Sequence, residues 1–292
     1  VLAGKMITYR EDKNDIIQSV EIDLTELSIQ SRQDLEYKIT ECLKNDKEYR
    51  DIFKFEGGNR LVYQTEVLVP KINKDRLNVL MVLGNPAVHS VAGGMFFSYE
   101  RTRSKEKWRE HRFWRGLRDC GVLTFYKAVK RPTSGNLAEI NKDKRNWLLY
   151  GEYESDFNVF LLPYFSFPTP ASGECSGVNG IKKIVGTDVF TRMEKSEFQR
   201  FEGIILCNNI KNVICFQKHA LKEIEARAKC EQANNTLSNP DYPVYKLGNT
   251  LKHVTLYTAP PTRNFYKDNA KKILKGIVAD IRTKNRKGRS CL

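Results

Sequence analysis

Four short apolar runs constrain the fold of this chain more than any other feature: Val79 to Leu83, Val159 to Leu162, Val213 to Phe216 and Val254 to Tyr257. None alternates apolar with polar residues, and each is followed by a turn and a helix-like segment. Runs of this kind, rich in β-branched and aromatic side chains, suit strands buried on both faces of a parallel sheet. The last helix has the clearest signal, because Ala270, Ile273, Leu274, Ile277, Val278 and Ile281 recur at three- and four-residue steps and give one apolar face. Segments 219–232 and 108–120, the latter closed by Gly121, read as further helices. The expected class is therefore α/β, a three-layer α/β/α domain over residues 76–282 around a short, mainly parallel four-stranded sheet. Residues 1–75 are charged and weakly periodic, with an amphipathic stretch at Leu35 to Leu43 and a turn at Gly57-Gly58, and read as an N-terminal accessory segment. Residues 283–292 carry Lys284, Arg286, Lys287 and Arg289 without apolar periodicity and read as a mobile basic tail.

Charge narrows the partners. Against 35 acidic residues the 292-residue chain carries 49 Lys and Arg, a formal net charge of +14 that attracts polyanions, so DNA is the expected partner. The seven cysteines, Cys42, Cys120, Cys175, Cys207, Cys215, Cys230 and Cys291, include no C-x-x-C pair. They predict neither a disulfide framework nor a zinc site, and a reducing compartment. No apolar run reaches ~18 residues and no charged-then-apolar leader opens the sequence, so the expectation is a monomer of the cytoplasm or nucleoid without membrane span, metal or cofactor.

In an open parallel sheet, ligands bind beyond the carboxyl ends of the strands. Three loops there are unusual: Gly84-Asn85-Pro86 with Gly93-Gly94 further on, Pro163-Tyr164-Phe165-Ser166-Phe167-Pro168, and Ala259-Pro260-Pro261-Thr262-Arg263-Asn264. Each alone is an ordinary turn composition. The first and last, placed after the first and last strands of a basic α/β chain, resemble the G-M-N-P-G and H-P-S-P-R-N motifs of the uracil-DNA glycosylase superfamily, most closely its single-strand-selective monofunctional branch. The resemblance covers roughly residues 76–282. No P-loop, nucleophile elbow or H-E-x-x-H motif competes with it.

The resemblance implies hydrolysis of the bond between a base and deoxyribose. Asn85 would hold the attacking water through its amide oxygen, with Gly84 and Pro86 shaping the loop. The base must leave the duplex and be held between apolar faces, for which Phe96 and Phe97 are candidates, and Gly93 and Gly94 would let the backbone come close. Seven basic residues then follow, Arg101, Arg103, Lys105, Lys107, Arg109, Arg112 and Arg115, read either as phosphate contacts or as a solvated face. Trp108, Phe113 and Trp114 read as packing. Arg263 matches a residue that in the family enters the duplex, with Asn264 beside it and Phe265 or Tyr266 as apolar wedges.

Two departures shape the expected substrate. Where the family has a histidine that stabilises the leaving base, this chain has Ala259, and His89 in the first loop is the candidate substitute. After the second strand the family presents an asparagine that reads uracil, but residues 160–170 contain no Asn or Gln, leaving Tyr164, Ser166 or Thr169 to bond the base. The vacated space suits a bulky base such as a glucosylated hydroxymethylcytosine, the chemistry that some bacterial members use against phages. No lysine stands at a matched catalytic position, so the activity expected is monofunctional. The rivals are repair of uracil or deaminated purines, a non-catalytic DNA-binding module of the same fold, and an α/β enzyme acting on nucleotides or sugar phosphates.

Overall fold

The computed structural model describes residues 6–10, 15–46, 48–101, 108–126, 133, 135–233 and 241–289. The N-terminal part comprises β1 (Ile7–Arg10), β2 (Ile17–Asp23), α1 (Ile29–Leu43), α2 (Tyr49–Ile52), β3 (Phe53–Glu56) and β4 (Arg60–Glu66). Its four strands form an antiparallel sheet in the order β1-β2-β4-β3, so β4 pairs with both β2 and β3. Helix α1 begins at Ser28, whose hydroxyl accepts from the Ser31 amide as an N-cap, and buries Leu35, Ile39 and Leu43.

The main part opens with β5 (Leu77–Leu83) and α3 (Val88–Ala92), followed by β6 (Tyr99–Arg101), β7 (Trp108–Glu110), α4 (Arg112–Asp119), β8 (Thr124–Phe125) and α5 (Leu137–Tyr150). It continues through β9 (Tyr153–Glu154), β10 (Phe157–Pro163), α6 (Gly177–Val185), α7 (Thr187–Cys207), β11 (Asn212–Cys215) and α8 (Lys218–Ala228). The chain then forms β12 (Glu231–Gln232), β13 (Val244–Lys246), β14 (Thr255–Thr258) and α9 (Asp268–Arg289).

The central sheet has six strands in the order β10-β5-β11-β14-β13-β12 and is mixed. This corrects the four-stranded expectation. The four apolar runs are the strands β5, β10, β11 and β14, and they pair in parallel, but β13 and β12 add an antiparallel edge. The added strands are short and polar, Val-Tyr-Lys and Glu-Gln, so no apolar run announces them. The closing helix also passes the expected boundary at residue 282 and continues to Arg289.

Alternation on the buried strands sorts the core into two faces. Leu80 and Val82 of β5 join one apolar cluster with α6, α7, α8 and the N-terminal sheet, including Val20, Leu61 and Tyr63. Val79, Met81 and Leu83 join the other with α4, α5 and α9. The N-terminal sheet thus contributes to the main core. A disulfide joins Cys42 at the end of α1 to Cys175 ahead of α6. This corrects the expectation of an all-thiol chain, and with it the argument for a reducing compartment; the partners are 133 residues apart, a separation that no spacing rule detects. No helix among the described residues is long and apolar enough to cross a membrane, and no group of three or more His, Cys, Asp or Glu among them could hold a metal.

Candidate functional site

A cavity of about 680 Å³ lies at the carboxyl ends of the parallel strands. Its wall brings together Gly84, Asn85, Pro86, His89, Phe96, Phe97 and Arg263, predicted from separate loops, with Glu66, Ser90, His111, Gln217 and Lys218, which were not.

Asn85 is oriented by its neighbours. Its Nδ2 donates to Thr169 Oγ1 at 2.7 Å and to the Pro86 carbonyl at 3.1 Å. A carbonyl can only accept, so the atom facing it is the amide nitrogen, and Oδ1 is the atom left on the cavity side. Thr169 is fixed in turn, accepting from the Gly177 amide at 3.0 Å and donating to the Pro170 carbonyl at 3.3 Å. The backbone beneath is held because β5 and β10 keep pairing past their ends: Tyr164 N bonds Leu83 O, Phe165 N bonds Gly84 O and Thr169 N bonds Pro86 O, at 3.1 to 3.2 Å. Thr169 therefore serves Asn85 rather than a ligand.

Continued strand pairing, of β5 with β10 and of β11 with β14, accompanies three corrections. Tyr164, Ser166 and Ala259 were expected in the pocket wall, and all three are buried in the core instead. Arg200 of α7 caps the Pro163 and Tyr164 carbonyls, and Glu197 accepts from the Ser166 amide, so the loop after β10 is drawn toward α7 and away from the cavity. Tyr164 packs edge-on against Phe165. Ala259 hydrogen-bonds Cys215 O through its amide and lies in the cluster beneath α9. β10 reaches the cavity through its last residue, Pro163, and the loop after it only through Ala171.

Two aromatics line another wall. Phe96 is buried, and Phe97 is half-buried with a backbone φ of 45°, a conformation that bulky residues rarely adopt. Holding it costs on the order of 1–3 kcal/mol and requires surrounding contacts that leave no alternative. These are present: Trp114 Nε1 lies 3.1 Å from both the Phe96 and Phe97 carbonyls, and the Phe97 ring packs on Phe113 and stacks on His111 with centroids 4.9 Å apart. His111 Nδ1 accepts from the Phe113 amide at the start of α4, which puts the proton of a neutral ring on Nε2. The loop before Phe96 turns through Gly94, with φ of 63°, and Asn141 of α5 anchors it through Gly93 O and Ser98 Oγ.

The rim is cationic. Arg263 lies exposed on a 3-10 turn, and its carbonyl accepts from Arg112 at 3.3 Å; Asn264 beside it is half-buried. Tyr266 is exposed with the Arg112 and Lys267 charges 5.8 and 5.7 Å from its ring, whereas Phe265, the other expected wedge, is core. It packs so tightly on Gly116 that a Cβ there would stand 2.3 Å from its ring. Arg101 ends β6, and Arg103 and Lys105 lie outside the described residues. His89 sits exposed on α3 near Asp46.

Among the wall residues that sequence reasoning missed, Glu66 is the buried acid. It ends β4 on the strand face that is otherwise solvent-exposed, after Arg60 and Gln64, yet is only 2% exposed because α3 covers the strand end. Ser90 Oγ bonds its Oε1 at 2.7 Å. Burial pushes the carboxyl up to about 8, with the Ser90 hydrogen bond pulling against it. Its one sequence signal is an acid placed directly before the apolar Val67-Leu68.

No model of a known protein family matches the chain, and no curated protein matches it.

Proposed function

We propose that the chain is a monofunctional DNA glycosylase with a uracil-DNA glycosylase-like fold, which hydrolyses the N-glycosidic bond of an extruded cytosine carrying a bulky group, such as a glucosylated hydroxymethyl, in defence against phage DNA. The orientation of Asn85 carries this reading: Thr169 and Pro86 occupy its amide nitrogen and leave its oxygen toward the cavity. A water accepted there would be aimed at the anomeric carbon. It adds to that carbon as the bond to the base breaks, the bonding pair leaves with the base, and the water's proton passes through solvent to the released base. An amide does this without ionising, so its task is to position the water. Phe97 and the His111 ring stacked on it offer aromatic surface on the cavity wall to a base taken out of the stack. Arg263 and Lys218 at the rim suit phosphate contact. The cavity volume leaves room for a substituent beyond a simple pyrimidine.

The test is abasic-site formation under single-turnover conditions on DNAs carrying uracil, hypoxanthine, hydroxymethylcytosine or glucosylated hydroxymethylcytosine. Release should be fastest from the glucosylated base, and Asn85→Ala should slow it roughly 100-fold or more while DNA affinity stays nearly unchanged. A wild-type protein that forms no abasic site on any of them would sink the enzymatic reading, and faster release of uracil would turn it to repair.

A further inference from the structure

We propose that Glu66, brought to the cavity wall by the N-terminal sheet, recognises the extruded base by donating a hydrogen bond to an unprotonated ring nitrogen, which selects cytosine and its 5-substituted derivatives over uracil. The inference rests on the glycosylase reading for the presence of a base in this cavity. A side chain that is 2% exposed and still lines the cavity stands deep in its wall, where a base arrives free of water. There the pairing partner matters most, because an unmatched polar group has no solvent to turn to.

The hydrogen bonds around Glu66 assign its proton. Ser90 has a single hydroxyl hydrogen and two acceptors in reach, Glu66 Oε1 at 2.7 Å and the Met95 carbonyl at 3.1 Å. Taking the 2.7 Å contact as the one the hydroxyl hydrogen fills makes Oε1 the accepting oxygen of a neutral carboxyl and puts the acid proton on Oε2. No described residue bonds Oε2, and the raised proton affinity keeps this form at neutral pH. The cavity thus presents a buried O–H donor. Cytosine offers an unprotonated N3 to such a donor, whereas N3 of uracil carries a hydrogen and meets it donor to donor. A substituent at C5 leaves N3 untouched.

Two of the other polar side chains of the wall each have one end engaged elsewhere. The Asn85 amide nitrogen holds Thr169, and Gln217 Oε1 caps α8 through the His219 and Ala220 amides. The charged and titratable groups sharing the wall are His89 of α3, His111 before α4, Lys218 and His219 of α8, and Arg263. Just ahead of β2, which pairs with β4, Asp15 faces Arg145 at 3.4 Å. All of these are common to wild type and a Glu66→Gln variant, so the difference between the two isolates Glu66. Glutamine preserves the arrangement, its carbonyl accepting from Ser90 and its amide donating to the base, but cannot ionise.

The experiment measures binding from pH 6 to 9, where uracil keeps its N3 hydrogen, of oligonucleotides carrying non-hydrolysable 2′-fluoroarabino analogues of 5-hydroxymethylcytosine or uracil, or an abasic analogue, alongside abasic-site formation on the natural nucleotides. Wild type at pH 7 should bind the cytosine analogue about fivefold to tenfold more tightly than the uracil analogue. This preference should disappear in wild type at alkaline pH, persist there in Glu66→Gln, and be absent at every pH in Glu66→Leu. A preference untouched by Glu66→Leu, identical alkaline behaviour of wild type and Glu66→Gln, or no preference at all would overturn the proposal. A preference dependent on Glu66 without any abasic site would uphold it and overturn the enzymatic reading. Abasic sites indifferent to Glu66 would do the reverse.

Discussion

Glu66 and Glu197 make an instructive pair, because both are carboxylates at most 2% exposed and burial raises the proton affinity of both, yet they stand in opposite surroundings. Glu197 is enclosed by partners. Arg200 stands 3.0 Å from its Oε2, the Ser166 amide and hydroxyl reach its Oε1, and Tyr63 joins the chain through Ser166 at 2.7 Å. The result ties the loop after β10 to α7. Glu66 has Ser90 on one oxygen and a cavity on the other. Burial alone therefore does not mark a functional acid; an unfilled bonding direction aimed at open volume does.

The sharpest way to break this contrast is to take a partner from Glu197. Arg200→Met leaves a buried acid without its counter-charge and should cost about 3–5 kcal/mol in urea unfolding, while base release per folded molecule stays at the wild-type level. A variant as stable as wild type would remove Glu197 from the structural role.

The second test is the pH dependence of stability. The folded-state proton affinity of Glu66, about 8, lies above the ordinary value of 4.5, so the folded form binds more protons between those limits. Its contribution to stability is then fully present below pH 4.5 and is lost as pH rises toward 8, by up to about 5 kcal/mol. Glu66→Gln should gain stability relative to wild type across that window and run parallel above it. Parallel curves throughout would mean that Glu66 titrates like an exposed acid.

The smallest effect belongs to the edge of the Glu197 network. Tyr63→Phe removes one hydrogen bond to Ser166 and should lower stability by about 1 kcal/mol, with the cytosine preference unchanged. A lost preference would show that the two acids are coupled across the core.

The sequence carried the parts of the fold that rest on continuous apolar signals. The strands β5, β10, β11 and β14 and the apolar face of α9 were legible because each buries a run that can be read locally. The placement of Asn85 beyond the end of β5 followed from its position just after that apolar run, the loop itself being an ordinary turn composition. Tyr164 and Ser166 were misplaced because loop sequence does not show that β5 and β10 keep pairing beyond their ends, nor that Arg200 pulls the loop toward α7. Glu66 was hidden for a different reason. It belongs to a strand of mostly polar alternation, and only the covering helix α3 makes its position buried. Long-range coverage of this kind leaves almost no mark on the neighbours in sequence.

The bond between Cys42 and Cys175 closes a covalent ring. Every wall residue from Glu66 through Ala171 lies inside that ring, and the rest of the wall, Phe216 to His219 and Pro261 to Arg263, comes from chain outside it. The cavity is thus a seam between a closed loop and one free arm. A single backbone cut inside the ring leaves Glu66, Asn85 and Phe97 on one covalent molecule. One cut between Ala171 and Phe216, beyond Cys175, would separate floor from rim altogether.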